Sequence, residues 1–409
     1  MSTTDSSPRA DFWRRPYTGY REIQRQSPVH YDPDLSAWLV TSYDAVRAAL
    51  HHPSLSSAWL ERRADMTAPD AAAAKFVHSV LSRWFVLTDA PEHAELRGVV
   101  GRAFTPRTIA AMKPFIRDRV EYLMSAAAAK GTVVDVISDV AAPLSAAVIN
   151  RIIGLDPALE ASMPKWADVL ARYLANISRR DLADQTAAMV SDMEKAIRAR
   201  LRDRALPEGT VLHDIAQRTD RGTAAVAEAV STVSLLLYAG FEATSQAVGL
   251  VTLALLDHPR LRGEIDPDDD AAVAAAAEEL LRFDTPVLQL PRIASADLEL
   301  DGCQIRSGDL VVVVLGAANH DERHYQDPDV IRLGRDPGGS LVFGHGAHFC
   351  IGAALARSEI ACYLTYLLRR APDFVSAGEP RWNRASTVRM LESVPVVLHP
   401  GPHHATSRS

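Results

Sequence analysis

Apolar residues recur at helical spacing over most of the first 283 positions. The segments SYDAVRAALHH, PEHAELRGVVGRAF, RTIAAMKPFIRDRVEYLMSAAAA and QTAAMVSDMEKAIRARLRDRA each predict an amphipathic helix, and residues 222 to 257 predict a long one that is apolar on every side. Beyond 283 the period shortens. The run LELDGCQIRSGDLVVVVLG reads as short strands separated by Asp-Gly and Ser-Gly turns, and AALARSEIACYLTYLLRR predicts a last helix after Gly352. Helices are thus largely segregated from a small strand region, which predicts a mainly α (α+β) protein. No linker and no internal repeat divides residues 1–409, so a single domain is expected, with polar ends at 1–10 and 401–409 expected to be disordered.

Composition narrows the function classes. With 47% hydrophobic residues and few aromatics, the chain can bury a large aliphatic core. The 44 Lys+Arg against 51 Asp+Glu give a net charge of −7, which argues against a nucleic-acid-binding or anionic-membrane surface. The first twenty residues hold no apolar segment of signal-peptide type, and no 18-residue charge-free apolar run occurs, so a cytoplasmic protein without a membrane anchor is expected. Three scattered cysteines, Cys303, Cys350 and Cys362, form no CxxC, so any chemistry must use a lone thiol.

One thiol sits in a telling loop. In FGHGAHFCIG, residues 343–352, the glycines permit a tight turn with inward amides, and Cys350 falls at the N-terminal end of the last helix, where dipole and amides favour a thiolate. A structural cysteine beside a turn has the same local pattern. No Gly-Lys-Ser/Thr follows, so this is not a phosphate loop.

The pattern Phe343-x-x-Gly346-x-His348-x-Cys350-x-Gly352 resembles the haem-binding signature of the cytochrome P-450 family. Other segments extend the resemblance in order along the chain. Glu279-Leu-Leu-Arg282 looks like the family's ExxR, for which the resemblance implies a third partner, Arg335, in a structural role behind the haem. DAPEHAELR is similar to the segment whose His and Arg, here His93 and Arg97, bind haem propionates; Arg292 in LPRIA and His348 match the further propionate partners. GAANHDERHYQDPDVI resembles the family's AANRDPxxFxDPxxF, with His320 in the usual Arg place and Tyr325 in the usual Phe place. The resemblance implies the family fold, a haem b held axially by Cys350, and further haem contacts from Phe343, Gly344 and Gly352. Cysteine thiolate is a known haem ligand.

The run Ala239-Gly240-Phe241-Glu242-Ala243-Thr244 is similar to the family's central helix, where a Gly and an acid-Thr pair lie over the haem. Mid-helix Gly costs about 1 kcal/mol relative to Ala, and the expected return is close approach of oxygen and haem, with a bulge in the helix. A buried acid without partners is costly, so Glu242 is expected to relay protons from bulk water. The sequence departs from the family at Ala243, where a Thr normally follows the acid. Thr244 is turned by about 100° and is not expected to substitute for it. The candidate catalytic residues are therefore Gly240, Glu242, Ala243 and Thr244, with the substrate supplying the missing hydroxyl.

The resemblance implies a haem-thiolate oxidase of specialised metabolism that hydroxylates a small molecule. Oxidative cyclisation or carbon–carbon or carbon–nitrogen coupling without oxygen insertion is the alternative, followed by a peroxide-driven reaction and a haem-binding sensor. Expected partners are a ferredoxin and an NAD(P)H-dependent ferredoxin reductase, since no GxGxxG or flavin segment is present, and the protein is expected to be a monomer. The expected substrate contacts are Tyr238, Ala239, Val287, Leu288, Gln289, Val388 and Met390.

Overall fold

The computed structural model describes residues 14, 16–61, 72–203, 206–218, 222–336, 339–383 and 388–399; the end stretches 1–10 and 401–409 lie outside the described residues. In chain order the longer helices among the described residues are α1 (Pro16–Gln26), α2 (Tyr43–His51), α3 (Ala72–Leu81), α4 (Glu92–Gly101), α5 (Pro106–Lys130), α6 (Ala142–Ile153), α7 (Met163–Ala175) and α8 (Arg180–Arg202). They continue with α9 (Val211–Arg218), α10 (Thr223–Leu236), α11 (Glu242–Asp257), α12 (Asp270–Phe283) and α13 (Ala353–Arg370).

Local chemistry explains the boundaries. Helix α5 begins at Thr105, whose hydroxyl accepts from the Thr108 N–H at 3.2 Å, with Pro106 in the first turn. In α12 the Asp269 carboxylate accepts from the Ala271 and Ala272 N–H groups, which caps the helix at its acid-rich start. Helices α10 and α11 are joined through a π turn, Leu237–Phe241, into one rod from Thr223 to Asp257. A second π turn, Val136–Ala141, leads into α6.

Those two continuous helical stretches, Val136–Ile153 and Thr223–Asp257, are long and apolar enough to cross a membrane, but 72% and 61% of their most apolar windows are buried inside the protein. Their apolarity follows from their place at the centre, where neighbours cover most of their surface. The rod packs so tightly that a Cβ on Gly249 would lie 2.5 Å from Ile137 Cδ1 and 3.0 Å from Leu391 Cδ1.

Strands begin earlier than the pattern predicts. A hairpin of Val29–Asp32 and Ala37–Val40 adds to a five-stranded sheet in the order Val29–Asp32, Ala37–Val40, Leu310–Val313, Leu290–Ala294, Leu55–Ser56. Ala37–Val40 pairs parallel with Leu310–Val313, some 270 positions away, so its stability comes from a partner that no local window contains. The later strands follow expectation: Leu298–Leu300 and Cys303–Ile305 form a hairpin whose turn residues, Asp301 and Gly302, both have positive φ. A small core between this sheet and α2 stands beside the large one that the helices enclose.

Candidate active site

A cavity enclosing about 1270 Å³ of empty space, some of it continuous with solvent, lies between the central rod and the loop before α13. The loop is shaped by Gly344 (φ +69) and Gly346 (φ +74), in the left-handed region that disfavours side chains. At Gly346 a Cβ would also meet the Leu50 carbonyl oxygen at 2.9 Å. Gly352 has an ordinary φ of −86, and it leaves open the space beside Cys350, whose Sγ lies 4.0 Å from where a Cβ would be.

Cys350 is surrounded by protein except where it opens onto the cavity, which is why the residue is exposed by area. Burial pushes its thiol up, and this outweighs the Gly352 N–H and the Arg97 and Arg357 charges, which pull down. The thiolate expected from helix dipole and amides alone is therefore not what the protein environment favours. A cation at Sγ would reverse that balance, as metal coordination deprotonates a thiol outright.

Beside the thiol, four basic side chains converge. The His93 and His348 rings are 4.1 Å apart, and Arg97 donates through Nη2 to the Phe349 carbonyl at 2.7 Å. His93 Nε2 and Arg97 Nη1 are buried without a partner. Burial holds the Arg292 guanidinium down to about 10, and burial with Arg292 and His93 nearby pushes His348 down to about 3. Asp89 is the acid acting on this cluster, so the cluster repels itself and has unused donors. A ligand carrying two carboxylates beside a metal facing Sγ would satisfy both needs. The residues present therefore fit a haem. Phe343 lies in the same wall, with the Arg357 guanidinium 4.4 Å over its ring.

Behind the loop the ExxR residues meet. Arg282 donates from Nε and Nη2 to Glu279 at 2.8 and 2.9 Å, and Arg335 Nε reaches Glu279 Oε1 at 3.1 Å. Arg282 also donates to the Asn319 and Pro328 carbonyls at 2.8 and 2.9 Å, which ties α12 to the segment leading to the loop. Tyr325 lies under both guanidinium groups, and His320 is buried between Asp329 Oδ1 and the Phe283 carbonyl, each at 2.9 Å.

On the opposite wall the π turn carries Ala239 and Gly240, followed by Ala243 and Thr244. A Cβ on Gly240 would lie 2.9 Å from Ile149 Cδ1, so the missing side chain also serves close packing of the rod on α6. Glu242 stands behind this wall rather than in it. It is 3% exposed, its Oε2 has no partner, and burial followed by the charge of Asp168 pushes it up to about 8. Thr244 and Ala243 both line the cavity, because the wall spans more than one step of the helix.

Of the expected substrate contacts, Ala239 and Val287 line the cavity. The others stand outside the wall. Leu288, beside Val287, packs instead into a separate core with Tyr20, Val314 and Ala317. Gln289, next in the same segment, is half-buried away from the wall. Tyr238 stacks on Trp84 at 5.4 Å between ring centroids. Val388 forms a backbone bridge with Val287, and Met390 pairs with Asn383.

Sequence reasoning missed Phe85 and Val86, just before the DAPEHAELR segment, and Ile149 on α6. It also missed Glu359, a fully enclosed acid on the wall with an unpartnered Oε2, pushed up to about 8 by burial, with Ser145 beside it pulling the other way. A lone carboxylate between Leu355 and Ile360, on the apolar face of α13, was the available signal.

Comparisons with known proteins agree along the chain. The family model for cytochrome P-450 matches residues 171–371. The vitamin D(3) 25-hydroxylase of Pseudonocardia autotrophica is 31% identical, covering 95% of both chains. Cytochrome P-450 monooxygenase PikC of Streptomyces venezuelae is 32% identical over 94% of this chain and 92% of its own. The crystal structure of CalO2 superposes with a TM-score of 0.87 at 30% identity, covering 98% of this chain and all of that one. With the fold, the converging donors and these relatives in agreement, the chain belongs to the cytochrome P-450 family, monooxygenases that hold haem b through a cysteine thiolate.

Proposed function

We propose that this protein hydroxylates an apolar specialised metabolite, with a haem that Cys350 would hold through its thiolate and whose propionates His93, Arg97, Arg292 and His348 would bind. The observation that carries the assignment is one cavity lined by Cys350, Arg97 and His348, with the His93 ring 4.1 Å from that of His348 and with His93 Nε2 and Arg97 Nη1 buried without partners. The relatives named vitamin D(3) 25-hydroxylase and 6-deoxyerythronolide B hydroxylase support the reaction class. An apolar wall of Phe85, Val86, Ile149, Leu235 and Val287 supports the substrate class. When bound, haem supplies dioxygen activation with electrons from outside. A cytoplasmic ferredoxin and its NAD(P)H-dependent reductase are the proposed source, with the whole chain acting as one domain.

The protein's own contribution is to the proton supply and to substrate position. Glu242 holds a proton near neutral pH because its buried carboxyl titrates near 8, and it stands one step behind the Ala239–Thr244 wall. At Ala243 there is no hydroxyl to hold a water, so a substrate hydroxyl completes the site. Thr244, on the same wall, supports a second reading in which it holds that water. The shape-matched Thr244→Val separates them: unchanged coupling of electrons to product keeps the substrate reading, whereas diversion of electrons to peroxide assigns the role to Thr244. Labelled dioxygen decides between hydroxylation and oxidative coupling, since a coupled product gains no label.

The assignment of Cys350 as the thiolate ligand is tested on the reduced carbon monoxide complex. Wild-type protein is expected to show the red-shifted Soret band of thiolate ligation and Cys350→Ala to lack it; a variant that keeps the band overturns the assignment.

A further inference from the structure

A charged pair outside the Cys350 loop has no part in the proton or propionate chemistry. The Cys350 N–H donates to the Phe343 carbonyl at 2.9 Å, which fixes the two residues to each other. Over the Phe343 ring lies the guanidinium of Arg357, from α13, with Cζ 4.4 Å from the ring centroid. Glu278, on α12 just before Glu279, accepts from Arg357 Nε at one carboxylate oxygen and from Nη2 at the other, the second at 3.1 Å. This two-pronged grip sets the plane of the guanidinium as well as its place.

Stability alone explains the arrangement poorly. The Arg357 side chain is 41% exposed, and it lines an open groove between α5, α12 and α13 together with Lys113 and Arg117. An ion pair so open to water contributes little to folding. What the ring contact does is hold a full positive charge, in one orientation, over the residue bonded to Cys350. Burial pushes the Cys350 thiol up, and the charges of Arg97 and Arg357 act against it.

We infer that Arg357, clamped by Glu278 on the Phe343 ring, sets the reduction potential of the haem that Cys350 would hold. Reduction from ferric to ferrous iron brings in one electron from an outside carrier, moves no atoms and makes the site more negative by one charge. A fixed cation stabilises the reduced form and raises the potential, whereas a fixed anion lowers it. Arg357 and Glu278 therefore act in opposite senses. Arg357 works through Phe343 and through its field at Cys350, so it is a positioning residue, and the inference rests on the reading of Cys350 as the thiolate ligand.

The test is a redox titration of the substrate-free holoenzyme with dithionite and mediator dyes, without ferredoxin. Arg357→Gln is expected to shift the equilibrium roughly tenfold toward the ferric form, a potential about 59 mV lower for one electron. Glu278→Gln loses the charge and keeps an oxygen for the guanidinium, and it is expected to raise the potential. Arg117→Gln removes a like charge from the exposed α5 side of the groove and is expected to leave the potential near wild type, because solvent screens that charge. A pair with a structural role only would shift both partners' variants in the same direction, since either change breaks it. A wild-type potential in Arg357→Gln, or an equal shift in Arg117→Gln, overturns the tuning role. So does a Glu278→Gln potential at or below that of wild type, whether or not Arg357→Gln retains haem. In each of these cases the thiolate Soret band of the reduced carbon monoxide complex, if present, keeps Cys350 as the ligand; its absence from wild type overturns both readings.

Discussion

Single side chains here are governed by how burial competes with partners. Glu242 and Glu279 are both buried acids with opposite fates. Glu279 receives two arginines and the Arg332 N–H, and its carboxyl is held down despite burial; Glu242 has an unpartnered oxygen and is pushed up to about 8. Because the folded carboxyl of Glu242 titrates near 8 instead of the ordinary 4.5, the fold retains a proton that the unfolded chain gives up. Its favourable contribution is complete below 4.5 and lost as pH rises through 8. Glutamine cannot ionise, so the stability of Glu242→Gln relative to wild type should rise across that window and level off above it. A pH series of denaturation midpoints checks this, and a difference that shrinks with pH contradicts it. For Glu279→Ala the expected loss is about 3–5 kcal/mol, since Arg282 is left buried without its partner, and little folded holoenzyme should be recovered. His93→Ala should fold and lose haem faster, because three other donors remain; transfer of haem to apomyoglobin measures the rate.

At the scale of elements, the central rod is bent to its task by packing. The π turn at Leu237–Phe241 places one extra residue in the helix next to Gly240, so that Ala239, Gly240, Ala243 and Thr244 all reach one wall. Close approach on the other sides depends on glycines. Gly249→Ala would drive a methyl into Ile137 and Leu391 and should cost about 1–3 kcal/mol in chemical denaturation, as overpacked cores do. Gly240→Ala meets a single side chain, Ile149, at 2.9 Å rather than two with the nearer at 2.5 Å, so its cost should be the smaller of the two. Equal costs would mean that the rod adjusts as a whole rather than at each contact.

Across the whole molecule, charge is distributed unevenly although the net value is −7. Arg102 and Arg107 are exposed near the Cys350 loop, where Phe104 lies 3.7 Å from the position of a Gly352 Cβ, and the exposed ring of Phe349 is on the same loop. A negatively charged ferredoxin is expected to be guided to this face by that local positive charge. Electron-transfer rates to the haem should fall with added salt as screening shortens to a Debye length of about 8–10 Å, and Arg102→Glu should lower the low-salt rate while flattening the salt dependence. A rate indifferent to both would remove charge from the docking.

The mainly helical class, the central rod, the Cys350 loop and the late hairpins were legible in the sequence, because helical period, turn residues and short motifs are written within a few residues of one another. The meeting of Glu279 with Arg282 was legible for the same reason, since residues three apart share a helix face. Tertiary structure alone decided the parallel pairing of Ala37–Val40 with Leu310–Val313, and which way the chain turns after α12, so that Val287 faces the cavity while Leu288 joins another core. It also placed Glu242 behind the wall, and Thr244 and Glu359 on it. Which face of a helix is a cavity wall depends on what packs against its other faces, and those neighbours come from sequence positions tens to hundreds of residues away.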